Sequence, residues 1–169
     1  MDGFISGRNG GAAPELSLAE QKSWQNYLAT VLHMTTLLNR QLSNAHQLSL
    51  ADVQLLDLLG NAPSGSIQMG ELAGALPSLP SRLTRQVRRL EGKGLVKRTT
   101  SPRDRRRVLA AITETGRTLM EEAMITYANE VRTNFLGPLT RSQITAMAAT
   151  CGQIGDALKR PKRSPVNGT

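Results

Sequence analysis

Between Pro80 and Arg107 the chain sets eleven basic residues against two acidic ones. The bases are Arg82, Arg85, Arg88, Arg89, Lys93, Lys97, Arg98, Arg103, Arg105, Arg106 and Arg107, and the acids are Glu91 and Asp104. The segment therefore carries +9, more than the +8 of the whole chain. Lys159, Arg160, Lys162 and Arg163 form a second basic group near the end, so everything else is net acidic. Charge segregated in this way marks a surface that meets a polyanion, not a general solubility device. The chemistry it offers is ionic and hydrogen-bonding. A guanidinium fork binds phosphate, and it can grip O6 and N7 of guanine with a discrimination of about 1–3 kcal/mol per good pair. Ser81, Arg82, Thr84, Arg85 and Arg88 combine cations with short hydroxyls on one stretch, while Leu83, Val87 and Leu90 recur at spacings of four and three. That pattern describes a helix with one buried face and one polyanion-facing side. Its arginines have no acidic i+4 neighbours, so they repel one another unless an anion is present.

No catalytic constellation accompanies these cations. His33 and His46 lie thirteen residues apart, without a cysteine or a metal-ligand spacing. Gly60–Asn61–Ala62–Pro63–Ser64–Gly65 lacks the Lys-Ser/Thr ending of a phosphate-binding loop. Glu121 and Glu122 are adjacent and diverge around a helix. The single Cys151 precludes an intrachain disulfide, and its helical neighbourhood marks it as a small buried side chain. The sequence thus points to a binding protein that is not an enzyme, with no metal and no cofactor.

The elements that must position the basic segment follow from periodicity and punctuation. The chain has 169 residues, enough for one domain with extensions. Aromatics make up 3% of it, so aliphatic side chains must fill the core, which favours helix packing. A long helix is predicted from Leu18 to about Ala45, with Trp24, Tyr27, Leu28, Val31, Leu32, Thr35, Leu38 and Leu42 on one face. Ser49 caps a second helix, and a short strand at Ile67 and Gln68 leads into a third. Ser78 is the expected cap of the basic helix, Pro80 suits its first turn, and Gly92 or Gly94 ends it. Residues 95–100 and 107–112 form a hairpin, where Asp104 and Arg106 share a side if both are strand residues. Thr113 caps a long helix that Gly137 and Pro138 end, and Thr140 starts the last one.

From Pro80 to Gly116 the run PSRLTRQVRRLEGKGLVKRTTSPRDRRRVLAAITETG resembles the multiple-antibiotic-resistance regulator (MarR) family of bacterial winged-helix repressors. The matching features, in order, are Leu90-Glu91, Gly94-Leu95-Val96, Asp104-Arg105-Arg106 and Thr113-Glu114-Thr115-Gly116. One departure is Ser101 before Pro102, where the family often carries an acid, which leaves this wing tip more basic. The resemblance extends over roughly Leu18 to Leu158. It implies a mainly α fold with a small β-wing, a winged helix-turn-helix domain flanked by N- and C-terminal dimerisation helices. It also implies that Arg106 enters a minor groove and that Asp104 braces the wing through an ion pair.

The resulting organisation is a flexible arm (1–15), an N-terminal dimerisation helix (16–46), a DNA-binding domain (47–113), C-terminal dimerisation helices (114–160) and a disordered basic tail (161–169). The expected function is that of a dimeric, sequence-specific transcription regulator. In this reading it is a ligand-responsive repressor on a pseudo-palindromic operator in double-stranded DNA. Ser81, Arg82, Thr84, Arg85 and Arg88 read the major groove, and Asp104 and Arg106 serve the wing. Lys97, Arg98, Arg103, Arg105 and Arg107 contact phosphates. Trp24, Tyr27, Val131, Phe135, Ile144, Met147 and Ile154 would bury against a second copy. The competing readings are a nonspecific DNA-coating protein and a winged-helix module for acidic protein partners. The family also implies a small aromatic effector, for which Tyr27, Arg40, His46 and Tyr127 are the candidate contacts. No apolar run reaches the roughly 18–20 residues needed to span a bilayer. The glycine-rich start lacks a secretory apolar core, so a cytoplasmic location is expected.

Overall fold

The computed structural model describes residues 15–76, 78–101, 104 and 106–159. The expected N-terminal arm, the basic tail, Arg103 and Arg105 fall outside the described residues, apart from residue 15 of the arm. The elements run α1 (Leu18–His46), α2 (Leu50–Gly60), β1 (Ile67–Gln68), α3 (Met69–Ala75), α4 (Pro80–Gly92), β2 (Val96–Thr100), β3 (Val108–Ile112), α5 (Glu114–Val131), a π-helical turn (Arg132–Leu136) and α6 (Arg141–Lys159). No described helix is long and apolar enough to cross a membrane.

The chain divides into two compact units, and the division falls inside α1, between Leu37 and Leu38. In the first unit the face of α1 that carries Trp24, Tyr27, Leu28, Val31 and Leu32 is exposed. The Trp24 and Tyr27 rings lie tilted with centroids 5.9 Å apart.

The second unit holds the core. Leu42 and Leu48 enter it from the end of α1 and the turn beyond, joined by Leu55, Leu56 and Leu59 of α2, Leu72 of α3, and Leu83, Val87 and Leu90 of α4. Each fully buried leucine contributes about 1.5–3 kcal/mol relative to exposure. Leu95, Val96 and Ala110 bring in the hairpin, and Met120 and Ala123 the first half of α5. α6 has no buried residue, so Cys151 is exposed in the single chain, contrary to the buried position expected of it. The helical period around Cys151 identifies a face, but among the described residues nothing buries Cys151.

Local chemistry explains the boundaries. Ser49 and Asp52 form a capping box at α2, each side chain accepting the other's backbone N–H. The Thr113 hydroxyl accepts Gly116 N–H at the start of α5. Ser78 does not cap α4: its hydroxyl donates to the Leu79 carbonyl, and Leu79 stands at the cap position without a side-chain bond. Pro80 in the first turn needs no partner for a missing N–H, so α4 starts without a hydroxyl cap. Gly94, at φ 73°, supplies the left-handed residue that ends α4. The Leu95 N–H then returns to the Leu90 carbonyl at 3.0 Å and Gly94 N–H to Glu91 at 2.9 Å.

The three strands form an antiparallel sheet in the order β1-β3-β2. β3 pairs with β2 from Val96↔Ile112 to Thr100↔Val108, and with β1 at Ile67↔Ala110 and Gln68↔Leu109. The short strand before α3 thus lies beside the wing, and it carries Gln68 and Met69 to the mouth of the basic surface.

Candidate nucleic-acid interface

α4 is built like a recognition helix. Leu83, Val87 and Leu90 are buried, whereas Ser81, Arg82, Arg85 and Arg88 are exposed and Thr84 is half-buried. The Thr84 hydroxyl donates to the Pro80 carbonyl at 2.9 Å, which fixes its rotamer. Between α4 and the wing opens a cleft of about 440 Å³, lined by Gln68, Met69, Gly70, Thr84, Arg88, Arg98, Arg106, Arg107 and Val108. It brings five of the expected contact residues together: Thr84, Arg88, Arg98, Arg106 and Arg107. Ser81, Arg82, Arg85 and Lys97 are exposed outside the cleft lining.

Two carboxylates organise the wing side of this cleft. Glu91, at the end of α4, accepts Arg98 Nε at 2.7 Å, Arg98 Nη2 at 2.6 Å and the Arg98 backbone N–H at 3.2 Å. The Arg98 guanidinium holds the Glu91 carboxyl below its ordinary value. Arg98 is therefore an ion-paired residue whose bearing is set by Glu91. Asp104 accepts the Arg106 backbone N–H at 3.0 Å and Arg107 Nε at 3.1 Å, and its own carbonyl accepts Arg107 N–H at 2.9 Å. Arg107 Nη1 also reaches Gln68 Oε1 at 3.4 Å. Neither Asp104 nor Arg106 is a strand residue, so the expected sharing of a strand face does not apply. Asp104 sits at the turn, where a short carboxylate can bind the backbone two residues on, and Arg106 is left exposed.

A third carboxylate lies behind α4. Asp52 is 1% exposed and accepts Arg89 Nη2 at 2.5 Å, Gln86 Nε2 at 3.0 Å and Ser49 N–H at 2.9 Å. Burial pushes its carboxyl up, but the bonds from Arg89, Ser49 and Gln86 outweigh that effect and hold it below the ordinary value.

A protein-family model, the MarR family, matches residues 48–108, which covers α2 to the start of β3. The solved structure of Sco3205, a MarR family transcriptional regulator from Streptomyces coelicolor in complex with DNA, is similar to 89% of this chain and 98% of its own length. Its TM-score is 0.82 and its identity 26%. AbsC, a MarR family transcriptional regulator from the same organism, is similar over 87% of this chain and 99% of its own, with TM-score 0.80 and 27% identity. Residues 48–108 thus match the MarR family, and most of the chain has the winged helix-turn-helix fold of these MarR-family regulators. The family comprises DNA-binding transcription regulators, not enzymes. Among curated proteins, the uncharacterized HTH-type transcriptional regulator YhbI of Bacillus subtilis (strain 168) is 33% identical over 91 residues. That match takes in 54% of this chain and 58% of YhbI, so the chain spans just over half the length of this relative.

In this MarR-like chain the four candidate effector contacts stand in different settings. Arg40 lines a second groove of about 480 Å³ with Ser43, Gln47, Asp52 and Arg89. His46 Nε2 is bonded to the Thr126 hydroxyl at 2.8 Å, Tyr127 packs half-buried against the core, and Tyr27 belongs to the first unit. Neither His46 nor Tyr127 lines the Arg40 groove. Sequence reasoning missed Gln68, Met69 and Gly70 as cleft residues. The clue was the two-residue strand before α3, whose pairing with β3 places them there. It also missed Glu91 and Asp52 as organisers, for which helical spacing carries no signal.

Proposed function

We propose that this protein is a dimeric, sequence-specific DNA-binding regulator, most simply a repressor, that sets α4 in the major groove and the wing in the minor groove. The observation that carries the reading is the basic cleft between α4 and the wing. Arg88, Arg98, Arg106 and Arg107 converge there beside Thr84. A nonspecific coating protein needs the cations but not hydroxyls held beside them on a helix face. The DNA in the Sco3205 structure supports the same assignment. The dimer is supported by the apolar residues left exposed on α1 and by an α6 with no buried residue, faces suited to a second copy. Two recognition helices related by a two-fold axis would read half-sites about 10–10.5 bp apart, centre to centre. Arg40, His46 and Tyr127 remain proposed contacts of a small aromatic effector.

The test is selection of duplexes from a random pool by the full chain, followed by footprinting of the winner. The expected result is an inverted repeat protected over two half-sites. Equal affinity for selected and random duplexes at one salt concentration would refute sequence-specific regulation.

A further inference from the structure

Asp52 is a buried carboxylate on α2, and two of its partners, Gln86 and Arg89, belong to α4. A third tie at the far end of α4 joins Lys93 Nζ to the Gln47 carbonyl at 2.8 Å. Asp52 is buried while the Arg89 side chain stays 47% exposed, and burying a carboxylate costs stability unless it is paired and hydrogen-bonded. The worth of the pair here is directional. With about 100° per residue, Leu83, Val87 and Leu90 centre one face of α4, and Ser81, Thr84, Arg85 and Arg88 centre a face roughly opposite. Gln86 and Arg89 lie on the flank between them. Leucine and valine packing tolerates some rolling of a helix, since it has no preferred direction. A carboxylate clamped by a guanidinium and an amide does not. A roll of about 10° carries a side-chain tip sideways by about 1 Å, which is enough to lose a base contact whose geometry is good only near 2.7–3.2 Å.

We propose that Asp52 is a positioning residue for DNA reading: through Arg89 and Gln86 it fixes the roll of α4 and so the bearing of Arg85 and Arg88, without itself meeting DNA. This rests on the DNA-reading role proposed above. It makes an unusual demand on the charge balance. Removing an acid from a DNA-binding domain strengthens its raw attraction to phosphate, while losing the clamp weakens base reading. Specific and nonspecific affinities should therefore move in opposite directions, which a merely structural role cannot produce.

The experiment compares the full chain and Asp52→Asn on the selected duplex and on a scrambled duplex of the same length, well below the unfolding temperature of both proteins. Asparagine keeps the volume and can still accept the Ser49 N–H of the capping box. The selected duplex should bind about tenfold more weakly, the worth of one bidentate base contact. The scrambled duplex should bind about twofold more tightly, from the charge removed. Gln86→Ala, which changes no charge and removes a single donor, should weaken the selected duplex by about threefold, the worth of one neutral hydrogen bond. It should leave the scrambled duplex unchanged, and it decides the matter if Asp52→Asn does not fold. Equal loss on both duplexes, or an unchanged ratio in both variants, overturns the positioning role alone. A wild-type chain that binds both duplexes alike overturns the DNA-reading proposal and this one with it.

Discussion

Gly116 offers the sharpest test of how the wing is joined to the helix that follows it. It lies buried in the first turn of α5, against the turn that closes α4. A Cβ built there would lie 2.9 Å from the Leu95 carbonyl carbon, 3.0 Å from Ile112 Cγ1 and nearer still to the Leu95 oxygen. No ordinary contact is that short, and the obstacle is backbone, which cannot swing aside as a side chain can. Gly116→Ala must therefore push the α5 N-terminus away from Leu95. That movement strains the Thr113 N–H bond to the Leu95 carbonyl, now 3.0 Å, and the Thr113 hydroxyl bond to Gly94, now 2.7 Å. Overpacking costs about 1–3 kcal/mol, and a buried hydrogen bond left unmade costs about 1–3 kcal/mol more. Replacing a helical glycine by alanine returns at most about 1 kcal/mol. The net expectation is destabilisation by about 2–4 kcal/mol. Urea titration measures it, at matched protein concentration because association raises apparent stability. With slopes of about 1–3 kcal/mol/M, the midpoint should fall by about 1–2 M at an unchanged slope. A Gly116→Ala protein with a midpoint at or above that of the wild type would refute the close approach of α5 to Leu95.

Three further outcomes are expected. Arg85→Ala should cost about 1–3 kcal/mol of specific binding and relax preference at one position per half-site, whereas Lys97→Ala should weaken all sequences alike and flatten the salt slope by about 0.9 for each phosphate no longer neutralised; the same loss of specificity from both would show the surfaces misassigned. Asp104→Ala adds net positive charge yet should weaken binding, because it frees the Arg106 backbone and Arg107 side chain that Asp104 holds; a complex tighter at every salt concentration would contradict that. The Asp52 carboxyl is held below its ordinary value of 3.8, so its contribution to stability is complete above about pH 4 and is lost as pH falls through the folded value. Urea midpoints from pH 7 to pH 3 should fall more steeply for the wild type than for Asp52→Asn, and parallel curves would show that the pair contributes nothing.

What could be read from the sequence was local. Ser49 and Thr113 were legible as caps because a cap is decided by a side chain and the backbone two or three residues on. Leu83, Val87 and Leu90 were legible as the inner face of α4 because spacing alone fixes which helical residues share a side. Gly94 was legible because a left-handed turn after a helix tolerates few other residues. The failures are those where the deciding partner lies far along the chain or is absent. Gln68 comes to the wing only through a strand pairing forty-odd residues away. Arg89 counted as one more base of the polyanion-facing segment until Asp52, thirty-seven residues earlier, was placed beside it. Ser78 had the right residue type for a cap, but α4 begins on a proline that leaves that cap little to satisfy. Cys151 shows the converse: its helical face is real, yet it is exposed among the described residues of a single chain.

The acids in and around the basic segment show why a count of charges was an incomplete guide. Only Glu91 and Asp104 interrupt the run, and each holds an arginine that lines the cleft, Arg98 and Arg107 respectively. Asp52, outside the run, holds Arg89 on the flank of α4. In electrostatic terms these acids subtract from the attraction to DNA. In geometric terms they convert flexible cations into aimed ones, because a guanidinium fork held by a carboxylate has fewer directions available to it. The two effects act on different quantities. Net charge governs nonspecific affinity and the rate of encounter, while the bearing of the arginines governs which base edges they can meet. A segment selected for charge alone would have no use for Glu91 and Asp104. Glu91 at the end of α4 and Asp104 in the hairpin turn are each bonded to backbone as well as to an arginine side chain, an arrangement that serves the proposed discrimination among sequences and that merely coating DNA does not need.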